Sequence, residues 1–131
     1  MLIFKVASSV VYVEFGAHRE YLSAMTVEFD LEALTRYLGR WGLVKRGTKI
    51  SELTKFSHGQ SNPTYLVTAA NGKQMVLRKQ PSGALLSKAH QVDREARIMN
   101  AFAIEGRVPV PRIFVVEPDI KVIGTKFYMM E

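Results

Sequence analysis

Residues 57–64, Ser-His-Gly-Gln-Ser-Asn-Pro-Thr, lie between two strand-like runs and could bind phosphate groups. A loop that covers phosphates needs backbone N–H groups pointing inward and little side-chain bulk in the way. Gly59 permits a sharp turn, while Ser61 and Asn62 offer a hydroxyl and an amide to phosphate oxygens. Pro63 has no N–H and stiffens the start of the next strand. The same composition also fits an ordinary turn, so residues elsewhere in the chain are needed to distinguish a phosphate-binding loop from a turn.

Two charged residues further along the chain could complete such a site. Arg78 shares a face of its strand with Val76, and its guanidinium can bind an anion through two N–H groups at once. Lys79 points the other way and replaces Arg78 only if the strand register slips. Glu95 lies on the apolar side of a helix, where a carboxylate needs a partner. The sequence therefore predicts an Arg78–Glu95 contact; the alternative is that both are solvated surface charges.

The elements that position these residues follow from apolar periodicity, caps and breakers. Asp30 caps the first helix, and Asn71-Gly72 predicts a two-residue type I′ turn between the second and third strands. The order predicts an α+β fold: a five-stranded antiparallel sheet with one main packing helix, preceded by a short helix. The expected elements are helix Leu31–Arg40, strands Ile50–Phe56, Thr64–Ala70 and Lys73–Lys79, helix Leu86–Ala103, and strands Ile113–Val116 and Thr125–Met130.

Composition limits the classes of protein to which this chain can belong. The 131 residues are 47% hydrophobic, enough for a core, and include no cysteine, which excludes disulfides and thiolate metal ligands. The net charge is +6, and residues 71–100 carry six Lys or Arg against Asp93 and Glu95. Such a stretch attracts polyanions, whether nucleic acid or a CoA-type ligand, or is simply a solvated basic face.

Residues 1–27 are expected to be an amino-terminal extension ahead of one lobe that runs from residue 28 to residue 131. The apolar run at Leu2–Phe15 is too short to span a membrane, and Glu14 argues against a signal peptide. Val10–Val13 has strand composition. A cytoplasmic location is expected, with mitochondrion or peroxisome as the alternatives in a eukaryotic cell.

Taken in order along the chain, these segments resemble the amino-terminal lobe of the aminoglycoside phosphotransferase/choline kinase-like family, which has a kinase-like fold. They are most similar to the branch that some proteins fuse to acyl-CoA dehydrogenases. The resemblance extends from about Asp30 to Glu131. The segments that carry it are His58–Tyr65, Val76–Lys79, Leu85-Leu86 with Ala89-His90, Asp93–Glu95, Val108–Pro111 and Ile123–Thr125.

The resemblance implies an ATP site and assigns residues to it. Arg78 would contact the α- and β-phosphates, and Glu95 would hold Arg78 in place. Met130 would form the back of the adenine pocket, and the Glu131 carbonyl would meet the adenine amino group. The residues that match the nucleotide-covering loop are Gly59, Gln60, Ser61 and Asn62.

The family's catalytic aspartate and metal-binding aspartate have no match in this sequence. They lie in the carboxy-terminal lobe, so the Mg²⁺ ligands are expected there and this chain is expected to be inactive by itself. The resemblance implies that the complete enzyme would transfer a phosphoryl group from ATP to a small-molecule hydroxyl. It suggests a hydroxyacyl-CoA as the acceptor in this branch, with a sugar, choline or an aminoglycoside as the alternatives. The strand that ends at Met130 would then be exposed and promote self-association.

Two readings without catalysis stay open at the sequence level. A basic α+β module could bind nucleic acid or an acidic partner, although Tyr65, Phe127 and Tyr128 are too scattered to form a stacking platform. A truncated, inactive product could instead serve as a partner-binding or dimerising piece.

Overall fold

The computed structural model describes residues 29–56, 62–81 and 91–131, together with the backbone of three strands before residue 21. Within these residues the chain forms eight strands and two helices. In chain order they are β1 (Leu2–Ala7), β2 (Val10–Phe15), β3 (His18–Glu20), α1 (Leu31–Arg40), β4 (Ile50–Lys55), β5 (Thr64–Ala69), β6 (Gln74–Lys79), α2 (Val92–Glu105), β7 (Ile113–Glu117) and β8 (Phe127–Met130).

The strands form one antiparallel sheet in the order β3-β2-β1-β4-β5-β6-β8-β7. The five strands predicted from the sequence are contiguous within it, from β4 to β7, which confirms the predicted α+β fold. Residues before position 21 add β1–β3 on the β4 side, where Phe4 pairs with Leu53. The division of the chain near residue 27 stays a prediction.

Helix α1 forms where the sequence places it because Asp30 supplies its cap. One carboxylate oxygen, Oδ1, accepts hydrogen bonds from the backbone N–H groups of Glu32 at 2.9 Å and Ala33 at 3.1 Å. These groups have no partner inside the helix, so the cap stabilises its first turn. Leu34 and Leu38 lie one turn apart and are buried against the sheet.

The two helices cover opposite faces of the sheet. Phe127 and Met129 pack in the core shared with α1, whereas Tyr128 packs with Val92 and Ala96 of α2. Neighbouring residues of a strand point to opposite faces, so β8 contributes to both layers. The last turn of α2 extends past this contact and is exposed. Gly106 then ends the helix with φ 74°.

Three local expectations differ from the structure. The β5–β6 connection is a three-residue loop, closed by the Gly72 N–H on the Ala69 carbonyl at 2.9 Å, rather than a two-residue type I′ turn. Gly72 has φ +86°, as such a loop requires at its last position. The last strand, β8, is not exposed, because it pairs with β6 on one side and β7 on the other. Helix α2 begins at Val92; the predicted start at Leu86 lies outside the described residues.

No helix in the described part of the chain is long and apolar enough to cross a membrane. The edge of the sheet beyond β8 is β7, which is half-buried along its whole length.

Candidate functional site

The side-chain alternation of β6 directs Arg78 toward α2. Met75, Leu77 and Lys79 are buried on the α1 face, and Arg78 emerges on the other face together with Val76. The predicted strand register is therefore the one that forms.

Lys79 does not replace Arg78 at this site. Its side chain is 0% exposed, and its Nζ donates a hydrogen bond to the Gln80 carbonyl at 2.9 Å. The ammonium group thus lies on the face of the sheet opposite Glu95, as the alternation of side chains predicts.

Arg78 and Glu95 form a two-point ion pair. Arg78 Nε donates to Glu95 Oε2 at 2.7 Å, and Nη2 donates to Oε1 at 3.3 Å. The Arg78 side chain is 19% exposed and that of Glu95 is 34% exposed. The pair joins β6 to α2 and confirms the predicted contact. Because both N–H groups of one edge bind the carboxylate, the plane of the guanidinium is fixed.

Three polar side chains surround this pair. Asn62 Nδ2 donates to Glu95 Oε1 at 2.9 Å, and the Tyr128 hydroxyl donates to Oε2 at 3.3 Å. Arg78 Nη1 donates to Thr64 Oγ1 at 2.9 Å and to the Asn62 carbonyl at 3.5 Å. Thr64 and Tyr128 are the residues opposite Arg78 on β5 and β8. The cluster is called here the Glu95 network.

Sequence reasoning missed the roles of Thr64 and Tyr128 in this network. The signal was present in part, because the β5–β6 hairpin places Thr64 opposite Arg78 once its loop length is known. Tyr128 required the pairing of β6 with β8, which are separated by a helix and another strand.

The network keeps its charges ionised. Burial alone would raise the pKa of Glu95, but the hydrogen bonds and charge of Arg78, with Asn62 and Tyr128, outweigh it and hold the pKa below 4.5. The hydrogen bond that Arg78 donates to Glu95 raises the pKa of Arg78, although burial opposes this. Burial, followed by the charge of Glu95, raises the pKa of the Tyr128 phenol, so Tyr128 is a neutral donor.

The arrangement leaves donor capacity for an anion. Nη2 of Arg78 carries two hydrogens, and one contact to Glu95 uses one of them. The other has no acceptor among the described residues, and the side chain remains partly exposed. A fixed guanidinium with a spare N–H has the chemistry needed to bind a phosphate oxygen.

The other predicted site residues have different positions and contacts in the structure. Asn62, assigned from the sequence to phosphate oxygens, is fully buried and donates its amide to Glu95 instead. Met130 packs, partly buried, beside Tyr128. Glu131 is exposed, and its N–H donates to the Arg112 carbonyl at 2.9 Å. The loop residues Gly59, Gln60 and Ser61 lie outside the described residues. The adenine-facing roles of Met130 and Glu131 stay predictions.

The part of the chain that the structure describes contains no comparable site for a divalent metal. No group of three or more His, Asp or Glu side chains there could hold an ion. The spare N–H of Arg78 suits an anionic oxygen, whereas Mg²⁺ takes oxygen ligands.

Comparison with known proteins gives consistent matches. The Phosphotransferase enzyme family matches residues 52–131. Acyl-CoA dehydrogenase family member 10 of Mus musculus is 48% identical over 106 residues, which cover 81% of this chain and 10% of that protein. Acyl-CoA dehydrogenase family member 11 of Homo sapiens is 38% identical over 108 residues, which cover 79% of this chain and 13% of that protein.

A solved structure extends the match to three dimensions. It belongs to a protein of Ralstonia eutropha JMP134 that is provisionally named an aminoglycoside phosphotransferase. The TM-score is 0.59 at 34% identity, and the superposition covers 79% of this chain and 27% of that chain. This chain therefore spans only a small part of the length of the relatives that it matches.

Proposed function

Since this chain belongs to the phosphotransferase enzyme family and corresponds to its amino-terminal lobe, we propose that it is the nucleotide-binding lobe of an ATP-dependent small-molecule phosphotransferase. The observation that carries the proposal is the Arg78–Glu95 pair at 2.7 Å, which holds a cation in place at the α2 face of the sheet. An isolated surface arginine would be free to rotate. A guanidinium fixed along one edge keeps its remaining Nη2 hydrogen in a defined position, where a ligand oxygen can accept it.

In this proposal Arg78 binds the α- and β-phosphates of ATP, and Glu95 orients it. Bound ATP supplies the phosphoryl group for transfer to a hydroxyl, while the residues of this chain bind and position the nucleotide. The sequence contains no H-x-D loop. We therefore expect this chain by itself to bind ATP weakly and not to turn it over, with Mg²⁺ held by residues outside it.

The proposed acceptor is the hydroxyl of a hydroxyacyl-CoA. Support comes from the relatives, which are named acyl-CoA dehydrogenase family members, and from the basic stretch between Lys73 and Arg97, which suits a phosphorylated ligand. A sugar, choline or aminoglycoside hydroxyl is the alternative acceptor.

Titration of the chain with a fluorescent ATP analogue tests the nucleotide assignment. Arg78→Ala removes the proposed phosphate contact, so we expect the affinity to fall about tenfold or more. Arg107→Ala is the matched control, because it removes the same charge from an exposed side chain that pairs with Glu105. Equal affinities for the Arg78 variant and the unaltered chain would contradict the proposal.

The second candidate function is binding of nucleic acid through the basic surface, which the net charge of +6 favours. It predicts binding of a single-stranded oligonucleotide that weakens steeply with salt, and no effect of ATP. Arg78→Ala and Arg107→Ala would then weaken oligonucleotide binding about equally, since each removes one positive charge.

A further inference from the structure

Tyr128 places a polar group where the surrounding residues are apolar. Its side chain is 1% exposed and packs with Val92 and Ala96, which are fully buried, and with the partly buried Met99. A phenylalanine would fill this position with the same apolar surface. Within the described residues the phenol oxygen has one hydrogen-bond partner, Glu95 Oε2 at 3.3 Å. The hydroxyl therefore serves the carboxylate rather than the packing of α2.

The hydroxyl acts on the same oxygen as the guanidinium. Arg78 Nε donates to Glu95 Oε2 at 2.7 Å, so this oxygen accepts one bond from β6 and one from β8. Arg78 and Tyr128 are directly opposed in the β6–β8 ladder. Both donors are thus fixed to one rigid sheet, and together they define the position of Oε2.

The other carboxylate oxygen is held from a third direction. Asn62 Nδ2 donates to Oε1 at 2.9 Å from the segment that leads into β5. A glutamate side chain has three rotatable bonds, and an arginine partner alone can follow it through several arrangements. Tyr128 and Asn62 thus restrict the positions that the carboxylate can take, and with them the orientations of the guanidinium that binds it.

We propose that Tyr128 is a positioning residue of the phosphate site, whose hydroxyl fixes Glu95 Oε2 and thereby the orientation of Arg78. Its effect on nucleotide binding rests on the function proposed above. Its effect on Glu95 does not, because that contact exists without a ligand.

Tyr128→Phe should change the titration of Glu95. The groups that face this carboxylate are Arg78 from β6, Tyr128 from β8 and Asn62 from the segment before β5. Asp93, in the same first turn of α2, pairs with Lys126 at 3.8 Å. Removing the phenol takes away a bond to the ionised form, so we expect the pKa of Glu95 to rise. We also expect ATP affinity to fall about three- to tenfold, the effect of one lost hydrogen bond.

The experiment uses the 131-residue chain labelled with carbon-13 at glutamate. The Glu95 side-chain carboxyl is titrated by NMR, the Arg78 Nε–H signal is followed, and the affinity for a fluorescent ATP analogue is measured in parallel. Tyr37→Phe is the matched control, since Tyr37 is also buried but packs on the α1 face. We expect the control to leave both the Glu95 titration and the ATP affinity unchanged.

The outcomes separate the two proposals. An unchanged Glu95 titration and an unchanged Arg78 Nε–H signal in a folded Tyr128→Phe chain would overturn the positioning role. If that chain does not fold, Tyr128→Met also lacks the hydroxyl, suits the apolar surroundings, and is judged by the same two signals. A shifted Glu95 titration in a chain that binds no ATP would uphold the positioning role and reject the nucleotide function.

Discussion

Glu95 shows how a partly exposed carboxylate can organise a site. Solvent reaches a third of its side chain, so the ion pair with Arg78 alone would contribute little to stability. Four hydrogen bonds from three side chains change this, because each bond favours the ionised form and the three side chains come from different parts of the chain. The network therefore fixes the orientation of the guanidinium more than it strengthens the charge pair.

The first prediction at the residue scale concerns Glu95→Gln. Glutamine keeps the size of the side chain but loses the charge. Its NH₂ group must also face one of the donors that bind the carboxylate in the unaltered chain, and that hydrogen bond is lost. We expect the free energy of unfolding to fall by about 1–2 kcal/mol, a range reduced by solvent screening, as measured by urea denaturation near pH 7. An equally stable variant would mean that the network is not coupled to folding.

The same variant should change the pH dependence of stability. The pKa of Glu95 in the folded chain lies below its ordinary value of 4.5, so its contribution is present above that value and is lost as the pH falls through the folded pKa. We expect the unaltered chain to lose more of its unfolding free energy below about pH 4.5 than Glu95→Gln does. Parallel curves for the two chains would argue against an ionised, hydrogen-bonded Glu95.

At this scale the sequence predicts the charged pair but not its surroundings. Arg78 and Glu95 follow from local rules, the alternation of a strand and the apolar side of a helix. Tyr128 joins them through the pairing of β6 with β8, and Asn62 joins them through a hydrogen bond to Glu95 from a distant segment of the chain. Such contacts depend on pairings between distant parts of the chain, which periodicity does not encode.

At the scale of elements, helix α1 depends on a single capping residue. Asp30→Ala removes the acceptor for two backbone N–H groups, and we expect the free energy of unfolding to fall by about 1 kcal/mol, measured by urea denaturation. Asp30→Ser is the matched control, because serine can accept the same bonds and should cost much less. Equal losses in the two variants would assign the effect to charge rather than to the cap.

The elements themselves are well predicted, and their arrangement less so. Apolar spacing and the Asp30 cap give α1 at Leu31–Arg40, and the alternating runs give all five strands from β4 to β8. The position of β8 between β6 and β7 is not a local property, so the sequence wrongly expected its exposure. The predicted length of the hairpin loop was wrong by one residue, because Asn-Gly suits both a two-residue and a three-residue loop.

At the scale of the whole molecule, several exposed apolar side chains among the described residues lie on or just after α2, and none lies on the last strand. The large apolar side chains exposed there and in the segment after the helix are Ile98, Phe102, Ile104 and Val108. Spaced four residues apart, Ile98 and Phe102 lie on the same side of the helix. Ile98 and Phe102 thus form an apolar strip on α2, and an exposed strip of this kind favours association.

We expect the chain to self-associate through this strip at high concentration, and Phe102→Lys to weaken the association, as measured by sedimentation velocity. Ile120→Lys is the control, because Ile120 is also an exposed apolar residue but lies in the turn before β8. If both variants weaken association alike, added charge is the cause and the strip is not.

Edge strand β7 has a further consequence for the behaviour of the molecule in a crowded solution. No strand among the described residues pairs with its outer side, and in other sheets such an edge acts as a template for amyloid-like stacking. The chain enters β7 through Pro109 and Pro111, neither of which can donate a ladder hydrogen bond. A foreign strand could therefore pair with only the five residues of β7 before meeting proline, too short a run to seed a fibril readily.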